Sequence, residues 1–267
     1  MKLSRVLLAI AVLACMVALL RLGIEGWGPL FAWLWTEGGY DEAGALSVLR
    51  SAGWFGVVLA LLVPFRPLGL LGLALAAWCG AWCAATIWQR EPFAALAPAM
   101  QATRLAAPLS LGMLCATPRR PGERRVRAAA VLLVGASAAT FAAHGVEAFA
   151  MHGEFLDFLF LFARELEVSL AEPTARRMLL GIGALDVAVA LGALLALRWP
   201  RARIALAWMG AWGLATAALR PLAYGSEFYA DFLVRLPNAC APLAALALLR
   251  ARDLQRAEPP VTHASSP

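Results

Sequence analysis

Apolar runs close to 20 residues long recur along the whole chain, and that is the length needed to cross ~30 Å of hydrocarbon. The expected fold class is therefore all-α, a polytopic membrane protein. Composition agrees, with 62% hydrophobic and only 15% charged residues, against ~25% charged in soluble domains. The formal charge of +6 is then no nucleic-acid footprint. Arg119, Arg120, Arg124, Arg125 and Arg127 crowd one short connector, where they set membrane orientation. Five cysteines, an odd number, sit mostly inside apolar runs and make neither a disulfide framework nor a zinc spacing.

One stretch occurs twice. Ala77-Trp78-Cys79-Gly80-Ala81-Trp82-Cys83-Ala84-Ala85-Thr86 returns 130 positions later as Ala207-Trp208-Met209-Gly210-Ala211-Trp212-Gly213-Leu214-Ala215-Thr216, with seven of ten residues identical. Arg90 and Arg220 follow the two copies at the same distance. Such self-similarity marks a repeat. It predicts two tandem four-helix bundles, at 1–116 and 128–249, with a basic linker at 117–127 and a disordered tail at 250–267.

Eight spanning helices are expected, at about 6–24, 51–64, 68–88 and 98–116, then 128–146, 178–197, 202–219 and 234–249. Leu13-Ala14-Cys15 hints at a lipoprotein signal, but the apolar run continues past Cys15 and its counterpart at 128–146 cannot be a signal. Helices 1 and 5 end alike, in Gly23-Ile24-Glu25-Gly26-Trp27 and Gly145-Val146-Glu147-Ala148-Phe149. An aromatic, partly charged stretch follows each, at 28–50 and 152–177, as expected of helices lying in the interface.

Orientation follows from charge. The N-terminus, the 2–3, 4–5 and 6–7 connectors and the tail hold 14 Arg/Lys and three acids; the other side holds 9 Arg and 13 acids. The positive-inside rule puts both termini in the cytoplasm and the interfacial stretches outside, in a bacterial-type inner membrane.

Against this background the ionisable residues stand out. Glu25, Arg90 and Arg104 fall at the outer mouth of the first repeat; Glu147, Arg220 and Arg235 fall there in the second. The plainer reading of each set is a Glu–Arg pair that ties helix ends together, with the second Arg snorkelling. The second repeat adds His144, one turn before Glu147, and Asp186, roughly nine residues into its helix; Gly56 stands where the first repeat would have that Asp. A lipid-facing Asp near a helix centre costs ~2.5–3.5 kcal/mol, so Asp186 should face its bundle and meet His144, Glu147, Arg220 or Arg235. These five residues are the candidate ligand-binding site. A metal on His144, Glu147 and Asp186 is conceivable, but the spacing is not diagnostic, and no metal site is assigned. Cys79 and Cys83 share a helix face at mid-membrane, where packing is a safer role than dithiol chemistry. No Walker, dinucleotide, HExxH or haem motif is present.

The order of elements, with Ala142-Ala143-His144-Gly145-Val146-Glu147 ending one helix and Leu180-Gly181-Ile182-Gly183-Ala184-Leu185-Asp186 in the next, resembles the DoxX-like family of four-helix membrane proteins. The resemblance implies one such bundle per repeat. For some relatives it also implies association with membrane redox enzymes acting on quinones. The expected function is that of an accessory subunit holding a quinone, lipid or similar small lipophilic molecule in an outer-side polar pocket beside a redox partner. A small-solute transporter, built as a parallel repeat, and a purely structural subunit are the alternatives. With no nucleophile–base pair legible, an autonomous enzyme is the least favoured class.

Overall fold

The computed structural model describes residues 2–65, 70–89, 92–115 and 121–257. Among these the chain is helical, with no strand: α1 (Lys2–Glu25), α2 (Pro29–Thr36), α3 (Glu42–Leu62), α4 (Leu71–Trp88), α5 (Ala97–Met100), α6 (Ala102–Cys115), α7 (Glu123–Phe149), α8 (Gly153–Glu165), α9 (Glu172–Leu195), α10 (Ile204–Tyr224), α11 (Tyr229–Arg235) and α12 (Pro237–Ala257). Among the described residues seven helical segments are long and apolar enough to cross a membrane, which makes this a multi-pass membrane protein in contact with the bilayer.

The expected eighth span, at about 98–116, is not one of these seven, because a turn interrupts it. Gln101 leaves helical geometry (φ −92°, ψ 1°) and separates the four residues of α5 from the 14 of α6. At 1.5 Å per residue, the 14 described residues of α6 cover ~21 Å. It packs on α1, α4, α7 and α12, and Thr103, Ala106, Ala107, Ser110, Leu111 and Leu114 are all buried. A helix walled by other helices need not match the lipid.

Several boundaries move outward from their expected places. Asp41 caps α3 by accepting a 2.8 Å hydrogen bond from the Gly44 amide, so the span starts at Glu42 rather than 51. α9 starts six residues early, at Glu172, with no side-chain cap but with Pro173 in its first turn. The interfacial segments therefore shrink to α2 and α8. Of the expected linker and tail, 123–127 belongs to α7 and 250–257 to α12, while 117–120 and 258–267 lie outside the described residues. Arg252 reaches Glu123 at 3.5 Å and Arg203 pairs with Asp253, tying the last turns of α12 to the starts of α7 and α10.

Helix pairing is the same in both halves. α1 packs on α3 as α7 packs on α9, α4 on α6 as α10 on α12, and α6 on α1 as α12 on α7. The α1–α3 crossing is drawn tight at Gly23 and Gly53, where a Cβ on Gly53 would lie 2.3 Å from the Gly23 nitrogen. The α7–α9 crossing has Gly145 and Gly183 in the matching places, with a Cβ on Gly183 coming 3.0 Å from the Gly145 oxygen. Small residues allow this approach in membrane bundles. The shared Trp-x-Gly motif behaves less evenly. A Cβ on Gly210 would strike Leu243 at 2.4 Å, whereas nothing lies within 4 Å of one on Gly80.

The halves are not separate bundles. α1 also packs on α12, and α6 on α7, so one continuous core runs from Leu8 and Val12 through Leu111 and Leu133 to Leu206 and Leu248. Arg5 donates to the Leu114 carbonyl at 2.8 Å, placing the α1 N-terminus beside the α6 C-terminus. At the opposite end Phe93 meets His152 edge-on, at 4.8 Å between centroids, and Arg21 lies 3.9 Å from Asp231. That end carries α2, α8 and the candidate site.

Candidate functional site

In the second half, α7, α8, α9 and α10 and the α11–α12 junction surround a cavity of ≈ 280 Å³. The wall is mostly apolar. Phe155, Phe158, Leu159 and Phe162 of α8 line it, spaced so that they share one helical face. Phe141, Met178, Leu179, Ile182, Trp212 and Leu219 complete it. Into this wall project His144, Asp186, Thr216, Arg220, Arg235 and Asn238. Four of the five candidate residues thus share one cavity; Glu147 does not line it.

Asp186 is 6% exposed, turned inward on α9 as expected. The early start of α9 places it fourteen residues, ~21 Å, along the helix rather than nine. The expected partner is missing. Asp186 Oδ1 is buried without a hydrogen bond, and no ion pair reaches this carboxyl among the described residues. Burying such a group without a partner is costly, so it is a polar group in want of a partner.

Arg220, 8% exposed, is held chiefly by aromatic rings. Its guanidinium sits 4.7 Å from the Phe158 centroid and 5.5 Å from that of Tyr224, and donates a long 3.4 Å hydrogen bond to the Tyr224 hydroxyl. Neither Arg220 nor Arg235 pairs with a carboxylate among the described residues. Both also line an open cleft of ≈ 590 Å³ with Glu154, Asp157 and Asp231. The two arginines therefore stand between an acidic, open cleft and an aromatic cavity.

Glu147 takes a different partner from the expected arginine. It is 5% exposed, receives His144 Nδ1 on Oε2 at 2.9 Å, and has His152 Nδ1 3.8 Å from Oε1. His152 escaped the sequence reading because helical spacing does not relate it to Glu147. Met151, at φ 54°, turns the chain out of α7 and folds His152 back, with its amide donating to the Glu147 carbonyl at 3.0 Å. No group of three His, Cys, Asp or Glu residues is placed to hold a metal ion among the described residues, so His144, Glu147 and Asp186 do not form the conceivable triad.

Among the described residues the first half does not bring Glu25 and Arg104 together. Glu25 is half exposed and pairs with Arg21 at 3.5 Å, not with Arg104. Arg104 donates to Gln101 Oε1 at 2.7 Å and lines a smaller cavity of ≈ 110 Å³ with Trp78, Cys79 and Trp82. Arg90 lies outside the described residues. At Gly56, the counterpart of Asp186, an added Cβ would meet the Leu19 side chain at 2.7 Å. Leu19 therefore occupies the place in which the second half presents its carboxyl.

The second-half cavity can seat one ring-sized group, offering donors from Arg220, Arg235 and Asn238 and an acceptor from Asp186. Its volume is near the lower end of ligand cavities, ~300–1,000 Å³. No family model matches the chain, and neither the curated proteins nor the solved structures compared with it give a match.

Proposed function

We propose that this membrane protein is a ligand-binding or accessory subunit of DoxX-like type whose second half holds the polar head of a small lipophilic molecule, a quinone before others. The observation that carries the reading is the pairing of opposites in one cavity: a buried carboxyl and a buried guanidinium that do not bond each other, set in an aromatic wall. A planar head with oxygens at both ends fits between them, accepting from Arg220 and, when reduced, donating a hydroxyl to Asp186. The tail would lie against the phenylalanines of α8. The recurrence of the same helix pairings supports descent from a tandem duplication, and the filling of the corresponding place at Gly56 by Leu19 supports the second half as the ligand-holding one. A membrane redox partner would exchange electrons with the bound head.

Titration of the full chain in detergent with menadione tests this, because quinones quench tryptophan emission and Trp212 lines the cavity. The expected result is saturable quenching that Trp212→Phe diminishes, with affinity weakened tenfold or more by Asp186→Asn and by Arg220→Gln. Non-saturable quenching, or equal affinity in all variants, contradicts it. The depth of Asp186 favours one second reading, a small-solute transporter. That reading predicts solute uptake into proteoliposomes that Asp186→Asn abolishes.

A further inference from the structure

We infer that His144, Glu147 and His152 form a proton relay between the second-half cavity and the aqueous face at the α8 end, an inference that rests on the cavity being a ligand site. The three side chains make a continuous line. His144 lines the cavity and uses Nδ1 for Glu147, at 2.9 Å, which leaves Nε2 for a ligand hydroxyl. Glu147, almost fully buried, presents its second oxygen to His152 Nδ1 at 3.8 Å. His152 is a quarter exposed, the last residue before α8.

A 3.8 Å gap is too long for a hydrogen bond. Approach of the imidazole by ~1 Å, or one bridging water, closes it. Among the described residues His152 Nδ1 has no hydrogen-bond partner to give up on that approach. Its ring is flanked by Phe93 and Phe155, edge-on to both, which orients it without competing for its nitrogens.

The transfer balances without an added reagent. A ligand hydroxyl gives its proton to His144 Nε2, and the Nδ1 proton passes to Glu147 Oε2. Rotation of the carboxyl brings that proton to His152 Nδ1, and the Nε2 proton of His152 leaves to water. The ligand is left as its anion, and Arg220 and Arg235 line the same cavity to stabilise it. Among the described residues the two imidazoles are the charged or titratable groups within ion-pair reach of Glu147; no arginine of α8, α9 or α10 comes within that distance. Asp186 and Arg220 face His144 across the cavity, and Glu154 follows His152 at the start of α8. A relay matters once a ligand fills the cavity, because the ligand then stands between His144 and the cleft that Arg220 and Arg235 also line.

The probe is 2-hydroxy-1,4-naphthoquinone, an acidic quinone whose ionised form absorbs visible light. It is bound to the full chain in detergent and the outer pH is jumped, with ligand release measured separately and kept slower than the colour change. The expected result is a proton step slowed tenfold or more in His152→Gln and in Glu147→Gln, with affinity in His152→Gln within twofold of the parent. His152 does not line the cavity, so a purely structural role would not separate rate from affinity in this way. Tight binding with equal rates in parent and His152→Gln overturns the relay and leaves the ligand site standing. Absence of binding to the parent protein overturns both.

Discussion

At the scale of single residues, Asp186 and Glu147 are two buried carboxylates with opposite structural roles. Glu147 is bonded and therefore contributes to the fold; Asp186 Oδ1 is buried without a partner among the described residues. Leaving a buried hydrogen-bonding group unmatched costs about 1–3 kcal/mol. Glu147→Leu, which strands His144, is therefore expected to lower the thermal unfolding midpoint. Asp186→Leu removes an unmatched group and is expected to leave that midpoint unchanged or higher. A fall for Asp186→Leu comparable to that for Glu147→Leu would show that Asp186 serves as helix glue. The sequence marked Asp186, His144, Arg220 and Arg235 because ionisable residues are rare in apolar helices. It could not reveal His152, whose approach to Glu147 depends on a backbone turn at Met151. Nor could it reveal that Phe158 and Tyr224, rather than a carboxylate, hold Arg220.

At the scale of elements, packing rather than motif identity decides what each glycine does. Gly53 and Gly80 both lie inside spanning helices, α3 and α4, yet only Gly53 is pressed against a neighbour's backbone. Gly53→Ala must push α1 from α3, and loss of stability is expected in thermal unfolding of the detergent-solubilised chain. Gly80→Ala meets open space and gains helix propensity of up to ~1 kcal/mol; an unchanged or higher midpoint is expected. Equal losses at both positions would contradict the packing. Apolar length placed most of the spans, since hydropathy is written in composition. It was a poor guide to their ends, where Asp41 and Glu172-Pro173 extend helices into polar sequence. It also gave no sign of the turn at Gln101 that separates α5 from α6.

At the scale of the whole molecule, the halves share a core, and the second keeps the larger of the two aromatic–arginine cavities, ≈ 280 against ≈ 110 Å³. Charge bias proposes that the α8 end faces outward with both termini in the cytoplasm. Reporters active on one side only, fused in the 150–175 stretch and near residue 260, should fall on opposite sides; the same side for both would refute that orientation. If the second-half cavity holds a small lipophilic molecule, a variant that fills the cavity while keeping every charged residue must lose it. Thr216 lines the cavity from α10, so Thr216→Trp is the variant of choice. In native mass spectrometry of the full chain in mild detergent, supplied with menadione and membrane lipid extract, the parent protein should retain one small-molecule adduct and Thr216→Trp should lose it. No adduct on the parent, or the same adduct on a folded Thr216→Trp, would contradict the account.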